Sequence, residues 1–291
     1  MFEQLGLIGC GLMGGSFALA LKEAGLVKRV VGYSKSPSTT ERARQLGIID
    51  IEAPSALLAV SGADIVLIAV PVASTEDSFK AIKHLVTPDM LIMDVGSTKR
   101  DVIDAAQRTL REHVGLFVPA HPIAGKEVSG VESADAQLYV GKQVILTPTE
   151  RTLAPQLQKA QELWTRLGCN VVTMTPERHD AAFAAVSHLP HLIAFALMNA
   201  ITGQPQGDEF LALAGPGFRD FSRIAASEPK VWRDILLANR EELLAQSQKF
   251  QRNLQELENL ITSNDEQGLE ALIEHASRTR AGWSMNAKNK A

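Results

Sequence analysis

Residues 4–20 read QLGLIGCGLMGGSFALA. Leu5, Leu7 and Ile8 form a short apolar run of strand type, and Gly9, Gly11 and Gly14 follow in the spacing G-x-G-x-x-G before a helix-like run over 16–22. This is the pattern of a dinucleotide-binding turn. The first glycine permits a tight strand-to-helix turn, the second lets a pyrophosphate approach the backbone, and the third lets helix and strand pack closely. The helix N-terminus adds free N–H groups and a positive dipole end. Glycines at this spacing also arise by chance in loops, so the weight lies in the strand before them and the helix after. Gly9, Gly11, Leu12, Met13 and Gly14 are the expected cofactor contacts of the turn.

Working outward, residues 29–33 (RVVGY) read as a second strand. At its end, where an Asp or Glu would hold the ribose 2′-OH of NAD, the chain has Ser34 and Lys35. A carboxylate there would repel a 2′-phosphate, whereas a hydroxyl and an ammonium bind one. The expected cofactor is therefore NADP, with NAD second and Arg42 as a third phosphate contact. The competing reading makes Lys35 a solvated residue of the turn SKSPST. A helix over 41–46, an apolar strand over 65–70 ending at Pro71, a helix over 78–85, a strand over 90–95 and another over 116–118 follow. Strands alternating with helices predict an α/β fold, a doubly wound parallel sheet of Rossmann type, with ligands beyond the carboxyl ends of its strands. Val70, Pro71, Gly96 and Ser97 then fall near the nicotinamide. Residues 143–147 and 170–173 read as further strands at the sheet edge, separated by a helix over 153–167.

From Pro176 strands all but vanish. A small-residue helix is expected over 181–198 and a long amphipathic one over 230–261, with Leu243, Phe250, Leu254, Leu257 and Ile261 along one stripe. Ser263, Asn264 and Asp265 break it before a helix over 266–277, and the tail 286–291 reads as frayed. Two domains are expected: a dinucleotide-binding domain over 1–174 and an all-α substrate and dimerisation domain over 175–291. The stripe predicts a homodimer, the alternative being ordinary core within one chain.

The bulk numbers agree with two domains, since 291 residues exceed the roughly 250 at which single cores stop growing. A net charge of −4, without a long basic run, argues against nucleic acid or an anionic membrane as main partner and favours a small molecule. Cys10 and Cys169 lie in no disulfide or zinc pattern. The chain enters a strand at once without signal-peptide features, and the apolar run over 189–201 is interrupted by His191 and Asn199. A soluble, cytoplasmic protein is expected.

His121 is the candidate acid–base group, because it follows a predicted strand at the ligand edge and histidine alone titrates near neutral pH unperturbed. Ser97, at the neighbouring strand end, is placed to orient its imidazole. Alongside the glycine turn stand Asp94-Val95-Gly96-Ser97-Thr98-Lys99, His121-Pro122-Ile123-Ala124-Gly125-Lys126-Glu127, Met174-Thr175-Pro176-Glu177-Arg178-His179-Asp180, Ser187-His188-Leu189-Pro190-His191, and Gly217-Phe218-Arg219-Asp220-Phe221-Ser222-Arg223 with Trp232. Together, over nearly the whole chain, these resemble the prephenate/arogenate dehydrogenase family of tyrosine biosynthesis. The resemblance implies an oxidative decarboxylation of a cyclohexadienol, with hydride transfer to the nicotinamide and loss of CO2. It also implies that His121 handles the C4 hydroxyl, that Ser97 orients it, that Arg223 binds a substrate carboxylate and that His191 faces the substrate side chain. Glu127 and Asp220 become supporting or gating groups, and Trp232 reaches the site from a partner subunit. Lys126 stands where the family often has a small polar residue, which leaves prephenate and arogenate both open. His188 and His191 lack a third ligand, so no metal is expected.

Two rivals remain. A β-hydroxyacid dehydrogenase or ketopantoate reductase would use a Lys on a helix of the second domain, but no lysine lies between Lys159 and Lys230. A non-catalytic NADP-sensing module would need neither His121 nor Arg223.

Overall fold

In the computed structural model, residues 1–126 and 128–284 are described. Apolar runs without alternation become strands buried on both faces. These are β1 (Phe2–Ile8), β2 (Val27–Tyr33), β4 (Ile65–Ile68), β5 (Leu91–Asp94) and β6 (Phe117–Val118), joined at the edge by the short, solvent-facing β3 (Ile51–Glu52), which was not foreseen from the sequence. They pair in parallel in the order β3-β2-β1-β4-β5-β6. The connecting helices are α1 (Leu12–Glu23), α2 (Pro37–Gln45), α3 (Ala56–Val60), α4 (Thr75–Ile82) and α5 (Arg100–Leu110). Alternate residues of the strands enter two separate apolar clusters, one with Phe17, Leu67 and Met93, the other with Phe79, Ile68 and Ile92. The strand order reverses between β1 and β4, and the crevice beyond their carboxyl ends is where such a sheet holds its ligand.

The strands expected at the edge of this sheet form instead a second sheet. There β7 (Ala120–Pro122) runs antiparallel to β8 (Gln143–Leu146), which runs parallel to β9 (Asn170–Thr173). Pro119 has no N–H to continue the first ladder, and the next amide, Ala120 N, donates to Asp94 Oδ1 at 3.0 Å. Between β8 and β9, α6 (Ala154–Arg166) packs back so that Trp164 lies 5.0 Å from Phe17 between ring centroids.

Past Thr173 the described chain is helical: α7 (Pro176–Phe183), a π turn at Ala184–His188, α8 (Leu189–Thr202), α9 (Gly207–Ala212), α10 (Pro216–Ser222), a 3-10 turn at Arg223–Ala226, α11 (Pro229–Ala238), α12 (Arg240–Thr262) and α13 (Glu266–Gly282). The helix expected over 181–198 thus extends at both ends and contains a wider turn. Pro190 accounts for that turn, since it lacks an N–H and its ring crowds the carbonyl four residues back. On a regular helix of 3.6 residues per turn, His179 and His188 would point to opposite faces; with the π turn between them both are buried. The helix expected over 230–261 divides at Asn239 (φ −107°, ψ 30°), whose buried side chain donates to Asp180 O at 2.8 Å. The helical run Pro176–Thr202 spans 27 residues and contains an 18-residue window of mean hydropathy 1.6, so by length and composition it is long and apolar enough to cross a membrane, a longer segment than the apolar run 189–201 read from the sequence.

By its contacts the chain forms two compact units, Met1–Arg240 and Glu241–Ala291. Glu127 and the tail 286–291 lie outside the described residues.

Candidate active site

The glycine turn is shaped by what it excludes. Gly9 has φ +97°, and a Cβ there would meet Ala69 O at 2.2 Å, while a Cβ on Gly14 would meet Gly9 O at 2.1 Å. Gly11, by contrast, opens on free space, with nothing within 4 Å of where its Cβ would stand. A side chain would fill this cradle; without one, it leaves the N-terminus of α1 open to an anion, which fits a pyrophosphate. Leu12 and Met13 open that helix, and Met13 O accepts from the buried Tyr139 hydroxyl at 2.7 Å. Ser34 Oγ accepts from Cys10 N at 2.8 Å, tying the end of β2 to the turn. Ser34 and Lys35 line a cavity of about 350 Å³ with Tyr33, Thr40 and Glu52. Arg42, expected as a third phosphate contact, pairs with Glu132 at 3.2 Å.

Across the switch point, Val70 and Pro71 lead from β4 into a 3-10 turn at Val72–Ser74. After β5 the chain curls so that Gly96 N donates to Asp94 Oδ2 at 2.8 Å. The same carboxylate oxygen takes the ammonium of Lys99, which is fully buried and also donates to Ala120 O at 2.8 Å. Asp94 and Lys99 therefore staple the end of β5 to β7, the strand that carries His121.

His121 Nδ1 lies 2.8 Å from His179 Nε2, and His179 Nδ1 lies 2.8 Å from Asp180 Oδ1. Asp180 in turn accepts the amides of Lys99 and Arg100, each at 2.9 Å, at the start of α5. Phe183 packs on both rings, 4.8 Å from His121 and 4.6 Å from His179. Burial, with the nearby charges of His179, Lys99 and His188, pushes His121 well below the usual imidazole range. It therefore stands neutral at physiological pH. Burial also lowers His179, against the opposing pull of Asp180. For Asp180, burial alone would raise the pKa, but the bonds from His179, Arg100 and Lys99 together hold it below the ordinary carboxylate value. The Nδ1 partner of His121 is thus His179, and no hydrogen bond from Ser97 to the ring is present among the described residues. The curl onto Asp94 and the inward turn of Lys99 occupy the segment that carries Ser97.

On the helical side, Asn239 Nδ2 lies 3.1 Å from His188 Nδ1. The amide nitrogen donates, so neutral His188 carries its proton on Nε2, which is buried without an acceptor among the described residues. Burial pushes His188 down to about 4. His191 Nδ1 donates to Ser187 O at 2.9 Å, leaving its Nε2 as an acceptor. Its ring stacks on Trp232, with centroids 3.4 Å apart and planes at 18°. Within the one chain described, Trp232 of α11 also lies against His188 and Phe195 of the same chain. His191, Arg223, Gly125, Lys126 and Ile224 line a cavity of about 500 Å³. Burial first, and then Arg223, lower the His191 pKa. Lys126 faces this cavity with its ammonium held by Asp135 and by Ser133 O, each at 3.0 Å. Asp220 is exposed and pairs with Arg219 at 3.1 Å, rather than lining the cavity. His179, Asp180, Asp94, Lys99 and Asn239 were given no role from sequence, although all but Asn239 stand within the motifs that carry the family resemblance.

A doubly wound sheet with an open glycine cradle at its switch point, and a neutral buried histidine past its carboxyl edge, defines a nicotinamide-dependent dehydrogenase. The family models described as prephenate dehydrogenase, nucleotide-binding domain and prephenate dehydrogenase, dimerization domain match residues 17–173 and 175–275. The chain is 34% identical to the prephenate dehydrogenase of Bacillus subtilis over 99% of its own length and 78% of that protein. It is 35% identical to the cyclohexadienyl dehydrogenase of Zymomonas mobilis over 94% and 93% of the two chains. The crystal structure of prephenate dehydrogenase from A. aeolicus, in complex with hydroxyphenyl propionate and NAD+, superposes with a TM-score of 0.90 at 37% identity, covering 97% of this chain and 98% of that one. The chain belongs to the prephenate dehydrogenase family.

Proposed function

We propose that the chain catalyses the oxidative decarboxylation of a cyclohexadienol, prephenate and/or arogenate, in tyrosine biosynthesis, with NADP preferred to NAD. When bound, the nicotinamide supplies the hydride acceptor. His121 Nε2 takes the proton of the C4 hydroxyl as hydride leaves C4. The ring carboxylate departs as CO2, its electron pair completes the aromatic ring, and the phenolate oxygen takes the proton back from His121. No net proton is consumed. Aromatisation and CO2 loss drive the reaction, so the protein's task is to orient the reactants and hold one proton.

Arg223 binds a substrate carboxylate, for which its planar fork is suited. Across the same cavity His191 and Lys126 meet the remaining polar groups. Ser34 and Lys35 at the end of β2 support NADP, a hydroxyl and an ammonium standing at the position of the strand end where an NAD site has its acidic residue, with Glu52 of β3 on the same cavity. The working division is a nucleotide domain over 1–174 and a substrate and dimerisation domain over 175–291. Phe250, Leu254 and Ile261 stay exposed within one protomer (37%, 44% and 63%), which supports a homodimer that covers them.

The observation that carries the reading is His121, buried and neutral just past β6. Reduction of NADP and of NAD at equal concentrations, followed with prephenate and with arogenate, tests it. Turnover of at least one cyclohexadienol, faster with NADP, is the expected result.

A further inference from the structure

An ionised carboxylate has no proton to give. Asp180 accepts from Lys99 N, Arg100 N and His179 Nδ1, so the proton in its contact with His179 belongs to Nδ1 of that ring. A neutral imidazole carries one N–H, which leaves His179 Nε2 with a bare lone pair. The 2.8 Å contact to His121 Nδ1 then requires the proton to sit on His121 Nδ1. By the same count, His121 Nε2 is unprotonated. We infer that Asp180 and His179 are positioning residues that fix His121 in its Nδ1–H tautomer and so aim Nε2 outward as the proton acceptor.

The arrangement is rigid as well as directional. Phe183 stacks on His179 at 28° and tilts against His121 at 57°, and both imidazoles are buried. Asp180 is anchored at both ends, its carboxylate by the first amides of α5 and its backbone carbonyl by Asn239. Lys99, His179 and His188 face His121, while Asp180, Asp94 and Lys99 face His179. A proton arriving on His121 therefore meets the ammonium of Lys99 as an opposing charge, which favours its return to the product oxygen, while the pull of Asp180 acts on His179. A tautomer chosen by the partner of the other ring nitrogen is the general way in which histidines are set for acid–base work.

The inference rests on the reading of His121 as the proton acceptor, but its test needs no substrate. Nitrogen NMR of the ligand-free full chain, labelled at histidine and with His121 assigned by its loss in His121→Asn, reads the tautomer directly. The expected spectrum has His121 protonated on Nδ1 and bare on Nε2. In His179→Phe, which keeps the ring but removes the acceptor, the proton moves toward Nε2 and kcat falls by about 10²-fold or more with KM little changed. His179→Gln, whose amide oxygen can accept from Nδ1, recovers part of that loss. A wild-type spectrum with the His121 proton on Nε2 overturns the inference, and so does a folded His179→Phe with wild-type kcat. If His179→Phe does not fold, the wild-type spectrum and the glutamine variant decide. Failure of the wild-type chain to turn over either cyclohexadienol contradicts the proposed reaction and leaves the spectrum to judge the tautomer.

Discussion

The Lys99 ammonium and the Asp94 carboxylate meet in an ion pair sealed from solvent at the root of the strand that carries His121. Breaking a buried pair by removing one partner leaves an uncompensated charge and costs about 3–5 kcal/mol. Lys99→Met is expected to destabilise the chain by about 3 kcal/mol in urea denaturation, somewhat less than the full range because Gly96 N and Ala120 N still donate to Asp94. A loss below about 1 kcal/mol would mean that the pair does not hold β7 in place.

Stability should fall on the acid side. His188 has a folded pKa of about 4 against an ordinary 6.5, so the unfolded chain binds a proton in this window that the folded chain refuses. A depressed histidine therefore leaves stability intact above pH 6.5 and removes it progressively as pH drops toward 4. This group alone accounts for about 3 kcal/mol over that interval, at about 1.4 kcal/mol per pH unit. His121, His179 and His191, shifted in the same direction, add to it. Thermal unfolding measured from pH 8 to pH 5 should give a Tm that is flat at first and then falls; a Tm unchanged down to pH 5 contradicts the burial of neutral histidines.

Arg223 stands with His191 on the larger cavity. Charge-assisted hydrogen bonds contribute about 1.5–3 kcal/mol, so Arg223→Ala should raise KM for the cyclohexadienol by at least about tenfold, with a smaller change in kcat. Arg223→Lys should recover only part of this, because an ammonium cannot form the bidentate fork. Steady-state kinetics in which KM is unmoved would place the substrate carboxylate elsewhere.

At the end of β2, Ser34→Asp combined with Lys35→Ala should lower the ratio of kcat/KM for NADP over NAD by about tenfold or more, through loss of a cation and gain of repulsion. A parent chain that already turns over faster with NAD at equal concentrations refutes the NADP preference.

Much of the nucleotide-binding half was legible because its chemistry is local. Gly9, Gly11 and Gly14 lie within one turn, and unbroken apolar runs such as residues 65–68 have no other use than a doubly covered strand. The second sheet was not legible, because its cause is tertiary: Ala120 leaves the first ladder for the carboxylate of Asp94, 26 positions earlier. The break at Asn239 is of the same kind, since its partner Asp180 lies 59 positions away. Ser97 was assigned to His121 from strand-end proximity, whereas the Nδ1 contact comes from His179, 58 positions on, in a helix whose polar residues were visible but had no stated purpose. The stacking of Trp232 on His191 within one chain was not legible either, because nothing local announces that the two residues, 41 positions apart, meet.

The central claim is that His121 moves the proton. It is tested most directly by comparing kcat and KM of His121→Ala and wild type with the better cyclohexadienol and the preferred cofactor. The account predicts a fall in kcat of about 10²- to 10⁴-fold with KM little changed, the usual contribution of a positioned acid–base group. A folded His121→Ala that turns over at a near-wild-type rate would contradict it.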